Sequence, residues 1–128
     1  MLTEMTKYLK LNNISAYKKS LSLSNSIWNK VVKWKHFEKS TIGSQYTRAV
    51  DSISANIAEG FGRHFKKDKI NFYRFAKGSI MESLDWTEKS KQRKLINNEE
   101  YDKTLTSLKD LIREINYLIK FTSTKLKS

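Results

Sequence analysis

The sequence contains no cysteine and no proline, and only four glycines and two histidines are spread over its 128 residues. Without thiols there are no disulfide staples, no thiolate metal site and no cysteine nucleophile. Strands and tight turns need proline and glycine as punctuation, so their scarcity implies long helices. The two histidines, His36 and His64, each stand alone and are read as solvated surface residues, because a lone imidazole without an orienting partner serves poorly as ligand or base. The Glu-x-x-His pairs of di-iron bundles do not occur. Gly60-Phe61-Gly62 follows no strand and lacks the lysine and hydroxyl of a phosphate-binding loop, so it reads as a helix stop in which glycine takes up a left-handed conformation. The expectation is a non-enzyme with no catalytic residues, no metal and no cofactor. Charged or polar residues interrupt every hydrophobic stretch before the roughly 20 residues of a membrane span. Residues 1–13 lack the apolar core and cleavage site of a signal peptide, and a cytoplasmic location is expected.

What the sequence has in excess is positive charge, a formal net +12 with a pI near 9.9, which makes a polyanion the natural partner. It also has helical periodicity. Tyr17, Leu21, Ile27, Trp28, Val31 and Trp34 recur at three- and four-residue steps and predict a first helix from Ile14 to about Phe37. Lys39 to Ser44 reads as a loop whose Ser40 or Ser44 caps a second helix carrying Tyr46, Val50, Ile53 and Ile57 on one face. Ile70, Tyr73, Ala76, Ile80 and Ser83 define a third helix, with Phe72 and Phe75 widening its apolar face. Asn97 with Glu100 three residues on forms a capping box ahead of a fourth, whose Tyr101, Leu105, Leu108, Ile112, Ile115 and Ile119 make a heptad seam. The chain is therefore expected to be all-α, a single antiparallel up-down-up-down four-helix bundle over residues 1–128, with its core from about 14 to 122 and frayed ends.

Cations are densest between Arg63 and Lys77, where Arg63, Lys66, Lys67, Lys69 and Arg74 are the candidate nucleic-acid-binding residues. They would neutralise phosphates, while the interleaved aromatics Phe65, Phe72, Tyr73 and Phe75 read as core. Clusters at Lys89, Lys91, Arg93 and Lys94 and at Lys120, Lys125 and Lys127 read as solvated faces. The carboxylates Asp51, Glu59, Glu82 and Asp85 are expected to pair with basic residues such as Arg48, Arg63 or Arg74 rather than to hold a metal.

Two stretches carry a resemblance. Gln45-Tyr46-Thr47-Arg48-Ala49 followed by Ser52-Ile53-Ser54-Ala55-Asn56-Ile57-Ala58-Glu59-Gly60-Phe61-Gly62-Arg63 resembles the signature of the four-helix bundle proteins encoded in intervening sequences of bacterial 23S rRNA genes. Phe72-Tyr73-Arg74-Phe75-Ala76-Lys77-Gly78-Ser79-Ile80-Met81-Glu82-Ser83 resembles that family's third-helix pattern. Gln45, Arg48, Asn56, Glu59, Gly60, Gly78 and Glu82 are then motif residues with a structural role, Gly78 and Ser79 suiting a close helix or subunit contact. The resemblance implies a homo-oligomer, a pentamer, and the family is similar in fold to the accessory variability determinant of diversity-generating retroelements, a basic pentamer associated with reverse transcriptase and nucleic acid. Where the family has an aromatic-rich leader, this sequence has Ala16-Tyr17-Lys18-Lys19. The expected function is binding of RNA in preference to DNA through phosphate contacts with little sequence specificity; the alternative is a scaffold for a helical or polymerase protein partner.

Overall fold

A computed structural model of the chain describes residues 10–126; residues 1–9 and 127–128, parts of the ends expected to fray, lie outside the described residues. Four long helices carry the fold: α1 (Ser15–Val31), α2 (Ser44–Gly62), α3 (Lys66–Gln92) and α4 (Asn98–Lys125), and no strand occurs among the described residues. Their apolar stripes meet in one core, built from Ile27 and Val31 of α1, Tyr46, Ile53 and Ile57 of α2, Tyr73 and Ile80 of α3, and Leu108 and Ile115 of α4. Order extends past the expected core limits of 14 and 122, since Leu11 joins the core and α4 continues to Lys125.

Consecutive helices run in opposite directions. Gly43, just ahead of α2, meets Val31 at the tail of α1. Tyr46 at the head of α2 bonds Thr87 near the tail of α3, while Gly60 at the tail of α2 meets Tyr73 near the head of α3. Tyr101 reaches Glu88, and Lys66 reaches Ser123, between α3 and α4. Lys19 closes the ring by pairing with Asp110 and Glu114 at 2.7 and 2.8 Å across α1 and α4. The α1–α2 and α3–α4 connections therefore share one end of the bundle, and the α2–α3 connection lies at the other.

The capping box forms as expected: the Asn97 side chain accepts from the Glu100 backbone N–H at 2.8 Å, and Glu100 Oε1 accepts from the Asn97 N–H at 2.9 Å. Elsewhere the boundaries differ. The first helix stops at Val31 rather than Phe37, and the expected loop at Lys39–Ser44 is instead helical. A short turn, His36–Glu38, passes into a π-helical turn, Lys39–Gly43, which runs directly into α2. Ser40 and Ser44 therefore have no helix start to cap; Ser40 and Thr41 give their hydroxyls to the Phe37 carbonyl at 3.3 and 2.6 Å. Gly60 and Gly62 do end α2, but not by a left-handed turn: Arg63 leaves in an extended conformation, and the one positive φ among the described residues is that of Lys94, at 61°.

Hydroxyl residues occupy core positions, and of these only Ser83 belongs to an expected stripe. Ser83, Thr87 and Ser90 of α3 and Thr104 and Thr122 of α4 are buried. Ser83, Thr87, Ser90 and Thr122 donate to carbonyls four residues back at 2.7 or 2.8 Å, so burial leaves those hydroxyls bonded. The deepest line of α4 is consequently Thr104, Leu108, Leu111, Ile115 and Thr122, while the expected seam residues Tyr101, Leu105, Ile112 and Ile119 sit half-buried to one side. On α1, Ala16, Ser20, Leu23 and Ser24 face inward, and Leu21 and Trp28, expected in the core, are exposed.

A methyl group at Gly60 would lie 2.7 Å from Cε1 of Tyr73 and 3.0 Å from the Lys69 carbonyl, whereas one at Gly62 would meet nothing within 4 Å. Gly60→Ala is therefore expected to destabilise by about 1–3 kcal/mol in urea unfolding, with Gly62→Ala close to neutral. Burial raises the Tyr46 phenol, which also bonds Thr87, and the Tyr73 phenol, each from 10.0 to about 12. The folded chain thus holds both protons more tightly than the unfolded chain, and this stabilisation is complete below pH 10 and lost as pH rises toward 12. Unfolding free energy should fall across that window by about 2–3 kcal/mol per tyrosine, and Tyr73→Phe should remove its share of the fall.

Candidate nucleic-acid interface

The five cations expected to bind nucleic acid cluster at the head of α3, yet they do not form one free surface. Arg63 lies 3.7 Å from Glu59 and stacks over the Phe72 ring at 4.5 Å. Lys66 donates to the Ser123 carbonyl at 3.1 Å, tying the head of α3 to the tail of α4. Lys69, half-buried, donates to the Phe61 carbonyl at 2.6 Å, where the last carbonyls of α2 would otherwise lack a partner. Lys67 and Arg74 alone of the five are exposed with no ion pair among the described residues, and seven positions apart they share the outer face of α3. Of the interleaved aromatics only Tyr73 is buried; Phe72 is half-buried, and Phe65 and Phe75 are 58% and 51% exposed, contrary to the expectation that all four are core.

The motif residues are also mostly outside the core. Gly60 alone has the structural role of close approach. Asn56, half-buried, donates to the Ser52 carbonyl at 2.8 Å, and Glu82 accepts from the Trp86 indole at 3.1 Å. Gln45 and Arg48 are exposed. Gly78 makes no close contact within the chain, since an added Cβ would meet nothing within 4 Å. Spacing puts Gln45, Arg48, Ser52, Asn56 and Glu59 on one side of α2, and Phe75, Ser79 and Glu82 on one side of α3. Among the four acids considered as pairing partners, Glu59 pairs with Arg63 and Asp85 with Lys89 at 2.6 Å, while Arg48 and Arg74 join no ion pair among the described residues. No group of three or more metal-ligating side chains occurs among the described residues, and no described helix is long and apolar enough to cross a membrane. His36 and His64 are exposed, as expected, with His64 edge-on to Phe65 at 4.8 Å.

Sequence reasoning passed over a second cationic surface, at the opposite end. Lys33, Lys35 and Lys39 come from the α1–α2 connection, and Arg93 and Lys94 from the α3–α4 connection, all five exposed. A shallow cleft lined by Phe37, Glu38, Thr41, Ile42, Arg93 and Leu95 joins the two connections. The signal lay in two charge runs some 54 to 61 positions apart, of which the one ending at Arg93 and Lys94 reads by itself as a solvated face; only the antiparallel fold adds them together.

An all-α four-helix bundle with an excess of cations on its outer surface is the class that fold and surface define. The family model described as 23S rRNA-intervening sequence protein matches residues 12–117, and the chain belongs to that family. In fold it is similar to the crystal structure of a protein of unknown function from the S23 ribosomal protein family of Bacteroides thetaiotaomicron, with a TM-score of 0.74 and 24% identity over 82% of this chain and 98% of that one. No curated protein matches.

The geometry separates a bracing lysine from an outward one. Lys69→Met should lower stability by about 1 kcal/mol in thermal or urea unfolding, because the Phe61 carbonyl loses its charged donor, whereas Lys67→Met should leave stability unchanged.

Proposed function

We propose that the protein is a non-catalytic, homo-oligomeric nucleic-acid-binding protein that takes RNA in preference to DNA, largely through phosphate contacts. The carrying observation is the disposition of charge. Many of the acids are already engaged within the chain: Asp110 and Glu114 with Lys19, Glu59 with Arg63, Asp85 with Lys89, Glu99 with Lys103, and Glu100 in its capping box. Exposed lysines and arginines therefore carry the net +12 outward, Lys67 and Arg74 of the expected segment among them. Cations on such a surface neutralise phosphates and release the counterions condensed on the nucleic acid, which gives affinity without base readout. Exposed aromatic rings beside cations favour unpaired bases, and with them irregular RNA.

Self-association is supported by the outer face of α3. Phe75 and Met81 are 51% and 60% exposed and lie on either side of the open backbone at Gly78. A second copy seated there would cover apolar area and give mid-helix Gly78 a purpose that the single chain does not supply. The number of copies is taken from the resemblance and is a pentamer. The same exposed face also suits the second reading, a scaffold that docks a helical protein partner.

The test is fluorescence-anisotropy titration of labelled single-stranded RNA, duplex RNA and DNA across a salt series, with mass measured by light scattering in the same buffer. Contact with four phosphates of a single strand gives a log–log salt slope of about −3, so affinity should drop about fiftyfold for a fourfold rise in salt. A flat salt response, or no RNA binding by the oligomer, would contradict the reading and favour the scaffold.

A further inference from the structure

We propose that single-stranded nucleic acid docks on the end of the bundle made by the α1–α2 and α3–α4 connections, where Lys33, Lys35, Lys39, Arg93 and Lys94 meet its phosphates and the Phe37 ring stacks on a base. The proposal rests on the nucleic-acid reading above and locates the strand at the end away from the segment that sequence density favoured.

Availability of charge distinguishes the two ends. At the α2–α3 end, Arg63, Lys66 and Lys69 each hold a contact that fixes the fold, and moving any of them onto a phosphate sacrifices that contact. At the opposite end none of the five cations belongs to an ion pair among the described residues. The two connections contribute one acid, the half-buried Glu38, and the first turn of α4 adds Glu99, paired with Lys103, and Glu100, held in its capping box. Cations near helix C-termini can merely balance the helix dipole, but Lys30, Lys89 and Lys91 in the last turns of α1 and α3 already stand there. The five lie beyond those turns, in the connections.

Phe37 supplies the second argument. The residue is 71% exposed, the highest value for a large hydrophobic among the described residues, and it borders the cleft that joins the two connections. The ring does not swing on a loose loop, because Ser40 and Thr41 both bond the Phe37 carbonyl and the π-helical turn follows at once. Gly43 seats that turn against Val31, at a distance no side chain would allow. An outward aromatic ring on an anchored backbone, with Arg93 lining the same cleft and the lysines in the same two connections, is an arrangement that stacks a base while the phosphates are neutralised. The cleft beside it is lined by Ile42 and Leu95, with the Glu38 carboxylate and the Thr41 hydroxyl oxygen able to accept from a base N–H. A duplex, whose bases are already stacked, cannot use the ring.

Backbone geometry points to the same end. Lys94 holds φ at 61°, a conformation that glycine or asparagine adopts more readily, and the π-helical turn is of a rare type. Both sit in the connections that bear the cations. The left-handed turn at Lys94 lets its amide reach the Lys91 carbonyl and that of Leu95 reach the Ser90 carbonyl, so the chain folds back beside the α1–α2 turn.

Two charge-matched variants test the location. K39E/R93E and K67E/R74E change the net charge by the same amount, so a difference between them reports position and not total charge. Affinity for a labelled oligouridylate of about a dozen nucleotides is measured by anisotropy for each, in the oligomeric protein at low salt, with circular dichroism and light scattering to verify fold and mass. K39E/R93E should weaken binding about tenfold or more and flatten the salt slope, and K67E/R74E should change it by less than about threefold. F37A should weaken the single strand about fivefold or more while leaving a duplex of equal length unchanged. An equal or larger loss in K67E/R74E, or unchanged single-strand affinity in F37A, would overturn this location while sparing the nucleic-acid reading. No binding by the unaltered protein would overturn both.

Discussion

Close approach of α2 to α3 is the constraint on which the rest of the bundle depends. At one end it is set by Gly60, whose missing side chain admits the Tyr73 ring, and at the other by the 2.6 Å hydrogen bond between the Tyr46 and Thr87 hydroxyls. Small hydroxyl residues on α3 keep the space between narrow while satisfying their own polar atoms, so the helices approach without leaving a buried donor unpaired. Around that pair, α1 and α4 cover the remaining apolar stripes. The two bundle ends, with their different populations of cations, follow from the same arrangement.

Charge is what this rigid frame distributes. Some lysines and arginines brace the structure: Lys19 holds α1 to α4, Lys66 holds α3 to α4, and Lys69 finishes α2. Others have no such duty and face outward. Density along the chain does not separate the two groups, because a lysine beside a helix end has carbonyls within reach that its sequence neighbours do not. The segment with the greatest concentration of positive charge is for that reason the segment whose charge is most committed to the fold.

Much of the fold was legible before the structure. Helix number, the capping box at Asn97 and Glu100, the stop at Gly60 to Gly62 and the core residues Tyr46, Val50, Ile53 and Ile57 follow from periodicity and end chemistry. Periodicity misplaced the α4 seam because Thr104 and Thr122 fill core positions with hydroxyls, and it placed Trp28 inside because a tryptophan at helical spacing reads as core. The turn from His36 to Gly43 read as a loop since Ser, Thr and Gly usually mark one; here they build a π-helical turn. Most obscure of all was the second cationic surface, whose halves are joined only by tertiary structure. Of the expected site residues, Lys67 and Arg74 are left outward, while the motif residues Gln45, Arg48, Gly78 and Glu82 lie on the outer surface rather than in the core.

Receipt of a single strand by the unpaired cations and exposed ring at the α1–α2 and α3–α4 end is the proposal with the sharpest physical consequence. It is tested most directly by photocrosslinking a 4-thiouridine-substituted RNA to the oligomer and mapping the adducts by mass spectrometry. The account predicts adducts at Phe37 and between Arg93 and Leu95. Adducts confined to the Arg63–Arg74 segment or to the α3 face around Phe75 and Met81 would contradict it.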